Sequence, residues 1–165
     1  MIINRRNAIK IFSSSSLMCV VPKLIADDNI SNSDMFRLLS LVQEDLFPYI
    51  KELNIDSAAY LKLILAHSKV SQKTKNAIIN GAKNLDKESL DMYNKHYIDL
   101  DFSNRDRLLK HISKISWGED WIYDMLVFIM ESILGDPIYG INTNENGWKW
   151  LNHHTGLPQP NKPFL

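Results

Sequence analysis

The strongest constraint on this chain is the spacing of its apolar residues. From Ser33 to Phe47 they fall at Met35, Leu38, Leu39, Val42 and Leu46. That i, i+3, i+4 stripe belongs to an amphipathic α-helix and cannot sit on one face of a strand. Ser33 reads as its N-cap and Pro48 as its boundary. Residues 57–67 are apolar nearly all round, Lys62 excepted, and rich in Ala and Leu, which predicts a buried helix. A third helix is expected over Gln72–Leu85 and a short fourth over Leu90–Tyr97. Ser103-Asn-Arg-Asp106 reads as a capping box. Behind it Leu108, Leu109, Ile112 and Ile115 share one face. A last helix is expected from Gly118 to Leu134, with Asp120, Asp124 and Glu131 as a narrow polar stripe, stopped by Gly135-Asp136-Pro137. No alternating stretch of the kind a half-buried strand needs is present. The expected fold class is therefore all-α: one domain of five to six helices with an irregular tail rich in Gly, Pro and Trp.

The 165 residues include 19 basic and 19 acidic side chains, for zero net charge. This excludes a strongly basic nucleic-acid binder judged on bulk charge. The single Cys excludes an internal disulfide. No run of about 18 apolar residues is present, as a spanning helix would need. The neutral total hides an asymmetry. Residues 1–26 contain Arg5, Arg6, Lys10 and Lys23 and no acid, a net of +4. Residues 27–165 then carry a net of −4. A basic start, a mildly apolar stretch holding Ser13 to Ser16, and a polar body beyond Ala26 match an export signal. Arg5-Arg6 followed by Ile9 and Lys10 resembles the twin-arginine signal, with Ala8 where Phe is usual. The alternative is an amphipathic first helix with solvated arginines. The expected organisation is a signal segment over 1–26 and a helical domain over 27–165. Within that domain, residues 57–85 hold five lysines and no acid. Such a run reads as a solvated face or as a dock for an acidic partner.

Patterns that would carry chemistry are mostly absent. Asn142-Thr-Asn144-Glu-Asn146-Gly147 mimics the start of a calcium loop. It has Asn142 where the first Asp belongs and His153 where the bidentate Glu belongs. His153-His154 are neighbours in a loop and converge poorly on one ion. No Glu is followed three residues later by His, so the di-iron bundle signature is missing. There is no Cys-x-x-Cys-His, no phosphate-cradling Gly loop and no Gly-x-Ser-x-Gly elbow. No catalytic, cofactor-binding or metal-ligating residue is assigned to this chain.

The unusual region is the end. Residues 135–165 hold four of the six prolines and four of the six glycines, together with Tyr139, Trp148 and Trp150. Gly135-Asp136-Pro137-Ile138-Tyr139-Gly140-Ile141-Asn142, then Gly147-Trp148-Lys149, then Gly156-Leu-Pro158, resembles the tail of the gluconate 2-dehydrogenase subunit 3 family. Asp136, Pro137, Tyr139, Gly140, Asn142, Gly147, Trp148 and Lys149 match the family pattern. Ile141 departs from it, standing where a second Gly is usual. The twin-arginine-like start, Leu46-Phe47-Pro48 and Asp101-Phe102-Ser103 extend the resemblance upstream.

The resemblance implies a non-catalytic small subunit with no cofactor of its own. Its partner would be a large FAD-dependent dehydrogenase of the glucose-methanol-choline type, sometimes with a subunit carrying haem c. Such complexes oxidise sugars, sugar acids or polyols in the periplasm. The small subunit would escort the flavoprotein through the twin-arginine translocase and stabilise it, with the matching tail residues as a partner interface. The other reading left open is a stand-alone exported helical binding protein.

Overall fold

The computed structural model describes residues 32–156. The signal-like residues Arg5, Arg6, Ile9 and Lys10, and Pro158 of the tail, lie outside the described residues. Among those described, every regular element is helical, in one all-α domain. Five long helices are α1 (Asn32–Leu46), α3 (Ser57–Ala66), α4 (Gln72–Tyr93), α5 (Phe102–Ile112) and α6 (Ser116–Leu134). Two five-residue helices, α2 (Tyr49–Leu53) and α7 (Asn146–Trp150), complete the set.

The stripe on α1 does what its spacing requires. Met35, Leu38, Leu39 and Val42 are all buried against the other helices. They meet Tyr60, Leu61 and Ile64 of α3, Ile78, Ala82 and Leu85 of α4, and Leu108 and Ile112 of α5 in one core. Helix α6 runs through its centre and touches α1, α3, α4, α5 and α7. Trp121, Met125, Phe128, Ile129 and Ile133 face inward from it. The Trp121 indole packs against Gly81 and donates to the Ile78 carbonyl at 3.1 Å. A Cβ at position 81 would overlap that ring. This close approach explains a glycine in mid-helix, where it otherwise costs stability.

Several local expectations are corrected. Helix α1 begins at Asn32, so Ser33 is in its first turn and is not the cap. Helix α6 starts two residues early, at Ser116. Leu90–Tyr97 is not a separate helix: α4 continues unbroken to Tyr93 and stops at Asn94, which adopts the left-handed conformation (φ 54°) that Asn tolerates. The cap of α5 is Asp101, not Ser103. The Asp101 carboxylate accepts the Asn104 N–H at 2.9 Å. Asp106 does not reach back to a cap; it pairs with Lys110 one turn on.

Two buried carboxylates fasten the corner after α4. Asp86 accepts the Tyr97 N–H at 2.9 Å and bonds His96 Nδ1 at 2.8 Å. Asp45 of α1 accepts Arg105 Nε at 2.7 Å, Arg105 Nη2 at 3.1 Å and the Tyr97 hydroxyl at 2.7 Å. The bond to Asp45 raises the Arg105 pKa, so the guanidinium is charged at every working pH. Burial and the neighbouring Asp45 charge push the Tyr97 phenol up. Elsewhere Tyr60 donates to Glu131 at 2.8 Å, joining α3 to α6. Burial raises the Glu131 carboxyl, and the Tyr60 bond partly opposes this. No helix among the described residues is long and apolar enough to cross a membrane.

Candidate functional site

The segment after α6 is irregular but closely tied down. Gly135 ends the helix, and the Asp136 side chain accepts the Ile138 N–H at 3.0 Å. Pro137 opens a single 3-10 turn over Pro137–Tyr139, where its missing N–H costs nothing. Gly140 closes that turn with φ at +83°, a conformation that favours glycine. Tyr139 is half-buried beside it. Ile141, at the position of the expected second glycine, has no positive φ. It is buried instead, so a side chain replaces open backbone there.

Asn142 is the clip of the tail. It is fully buried, its Nδ2 donates to the Gly135 carbonyl at 3.1 Å, and its Oδ1 accepts the Gly147 N–H at 2.7 Å. Both amide atoms are thus used within the chain. Gly147 sits directly on α6, where a Cβ would overlap the Ile133 carbonyl oxygen. Trp148 is 8% exposed, and its indole N–H donates to the Leu134 carbonyl at 3.0 Å. Asn142 and Trp148 therefore satisfy carbonyls that the end of α6 leaves without intrahelical donors. The edge of Trp148 meets His153, with centroids 5.9 Å apart. Lys149 Nζ is exposed and donates to the Asn144 carbonyl at 2.6 Å. Asn146 Nδ2 donates to the Leu53 carbonyl at 2.9 Å, which binds the tail to the end of α2.

This last bond brings two distant segments into one surface. Phe47, from the corner after α1, meets Trp150 edge-on at 5.7 Å. Tyr49 of α2 stacks on Trp150 at 6.4 Å. Phe47 and Tyr49 are 6.1 Å apart. Tyr49 is 52% exposed, Trp150 43% and Leu151 47%. Phe47 is partly buried against the core and anchors the exposed Tyr49 and Trp150 rings, which together with Leu151 leave an apolar patch open to solvent, a feature found at interaction sites. An open groove of about 580 Å³ is lined by α1, α2, the start of α3 and the turn after α6. Ile50, Ile55 and Ile141 form its apolar lining, and Ser40, Asp56, Thr143 and the paired Glu44 and Lys51 supply polar groups. Glu44 and Lys51 are 2.9 Å apart.

The eight tail residues thus divide. Asp136, Asn142, Gly147 and Trp148 shape the tail from within. Gly140 borders the groove. Pro137 and Tyr139 form the turn, and Lys149 is exposed on α7. The outward aromatic is Trp150, joined by Phe47 and Tyr49. The residue spacing contained a partial signal: positions two apart on a helix face different ways, so Trp148 and Trp150 could not both be buried against one element. Among the described residues, no cluster of three metal-ligating side chains occurs. No protein-family model, no curated protein and no solved structure matches the chain.

Proposed function

We propose that this chain is the non-catalytic small subunit of a periplasmic FAD-dependent dehydrogenase, similar to the gluconate 2-dehydrogenase subunit 3 family. In this reading the patch of Phe47, Tyr49 and Trp150 docks on the flavoprotein, and Arg5-Arg6 directs both through the twin-arginine translocase. FAD belongs to the large subunit, and haem c to a cytochrome subunit where one is present. The reaction of the complex is oxidation of a sugar, sugar acid or polyol.

One observation carries the reading. Phe47, in the family-like Leu46-Phe47-Pro48, and Trp150, which directly follows the family-like Gly147-Trp148-Lys149, lie 103 residues apart in sequence and meet in one aromatic cluster whose Tyr49 and Trp150 rings are exposed. Tryptophan and tyrosine are favoured anchors of protein interfaces. Side-chain amides and an indole fix the tail beneath that surface, so the patch is pre-organised and loses little entropy on docking.

The test is to tag the chain at its C-terminus in its native host and recover it from the periplasm. A yellow, FAD-bearing partner is expected, and Arg5→Lys with Arg6→Lys should hold both proteins in the cytoplasm. Recovery of the exported chain alone would replace the escort by a stand-alone binding protein. A partner still exported after the arginine changes would end the escort reading.

A further inference from the structure

Helix α6 has a second face that the core does not use. Trp121, Met125, Phe128, Ile129 and Ile133 point inward. On the opposite side Tyr123, Val127, Met130 and Leu134 follow at i, i+4, i+7 and i+11, the spacing of one helical stripe. Tyr123 is 68% exposed and Leu134 48%, with Val127 and Met130 half-buried between them. Polar residues are the rule on the solvent side of a helix, so an apolar stripe there marks a surface that something covers. Acids edge it. At 3.6 residues per turn Glu119 lies on one flank, and Asp120 and Asp124 on the other. All three are exposed, and none forms an ion pair among the described residues. Glu131, farther along the second flank, is taken by Tyr60. With it, α6 carries four acids and no Lys or Arg. None of these residues belongs to the docking patch of Phe47, Tyr49 and Trp150.

We infer that this outer face of α6 is a dock for the chain's own residues 1–26. The charges match: that segment holds Arg5, Arg6, Lys10 and Lys23 and no acid, against the four acids of α6. The apolar residues match as well. Ile2, Ile3, Ile9, Ile11 and Phe12 are interleaved with the first three cations, as the stripe on α6 is with its acids. Opposite charges set the register, and the apolar contact excludes water. Reach is sufficient. Helix α1 begins at Asn32 and packs against α6, and packed helices lie about 8–10 Å apart. Residues 27–31 alone can span about 17 Å. A tether this short holds the segment at an effective concentration of about millimolar, an advantage that a separate partner lacks. Docking keeps Arg5-Arg6 on Asp120 and Asp124 and away from any receptor. In the export reading, release from α6 then precedes translocation; the contact itself does not rest on that reading.

The experiment places a nitroxide spin label on Cys19, the single cysteine, in the full ¹⁵N-labelled chain. The amide signals of Tyr123, Val127 and Met130 should be lost and should return when the label is reduced. Arg5→Glu with Arg6→Glu should restore them without reduction, because the changed segment is repelled. Adding Asp120→Lys and Asp124→Lys should bring the loss back. Tyr123→Ser should weaken the loss at Val127. Asp120, Tyr123 and Asp124 are exposed, so these variants leave the core intact. No broadening, broadening spread evenly over the exposed amides, or a loss indifferent to the charge changes would each overturn the assignment. So would the same loss in unlabelled ¹⁵N chain mixed with spin-labelled ¹⁴N chain, which would put the segment on a second copy. A chain that is never exported would leave these signals as they are, so failure of the export reading stays distinguishable.

Discussion

Trp148→Ala and Trp150→Ala separate the two tryptophans of the tail by mechanism. Trp148 is almost fully enclosed, so its truncation opens a cavity beside α6 and leaves the Leu134 carbonyl without its donor. Truncating a buried tryptophan costs about 3–5 kcal/mol. The lost hydrogen bond adds about 1 kcal/mol. Against a total stability of about 5–15 kcal/mol, that is enough to leave a sizeable unfolded fraction at mild denaturant. Trp150 is nearly half exposed and loses chiefly its ring contacts with Phe47 and Tyr49, worth about 0.5–1.5 kcal/mol.

Urea unfolding of the isolated chain, followed by far-ultraviolet circular dichroism, reads both. The expected pattern crosses over: Trp148→Ala is strongly destabilised, whereas Trp150→Ala stays near wild type but loses its partner in co-purification. If Trp148→Ala cost less than about 1 kcal/mol, the range of an ordinary surface change, the argument from burial would be wrong. If Trp150→Ala kept full recovery of the partner, the aromatic patch would not be the docking face.

Three further outcomes follow from the geometry. Asp45→Ala strands the Arg105 guanidinium and the Tyr97 hydroxyl and should cost about 3–5 kcal/mol, with much of the loss recovered in the Asp45→Ala, Arg105→Met double variant; additive losses in a double-mutant cycle would refute the coupling. Gly147→Ala drives a methyl into the Ile133 carbonyl and should lower stability by about 1–3 kcal/mol while speeding exchange of the Trp148 indole proton. The bond to Asp86 raises the His96 pKa above its ordinary 6.5, so the pair's contribution is complete below that value and is lost as pH rises through the folded-state value. Unfolding free energy should therefore fall across that interval in the wild type and less in His96→Gln, and parallel pH profiles would show that the pair contributes nothing.

The difference between what was legible and what was not follows from the range of each interaction. The α1 stripe, the boundary at Pro48 and the stop at Gly135-Asp136-Pro137 depend on neighbours within a turn or two, and they read correctly. Leu90–Tyr97 did not, because α4 runs on to Tyr93 and the turn beyond Asn94 is held by Asp86. That residue reads as one more charge on a polar face, yet it is buried and holds the backbone of Tyr97, eleven residues away. Asp101 and Ser103 are both competent caps in isolation, and the choice between them fell to Asp101, next to the Arg105 that Asp45 holds from across the core.

The same logic separates the motif from the surface it builds. Asn142 reads as a failed calcium ligand when the loop is taken alone. Its work lies between Gly135 and Gly147, and it becomes visible only when both ends of the loop are in place. By fastening that loop, Asn142 and Trp148 hold α7 against α6, and Asn146 carries the contact on to α2. Trp150 can then meet Phe47 and Tyr49 only because those inner bonds set the position of α7. A substitution at Asn142 should therefore disturb the proposed docking without touching the aromatic patch itself, and Asn142→Asp is the sharpest case. It keeps the acceptor for Gly147 N–H but sets a carboxylate against the Gly135 carbonyl, so the aromatic patch should loosen while each of its three rings remains in the chain.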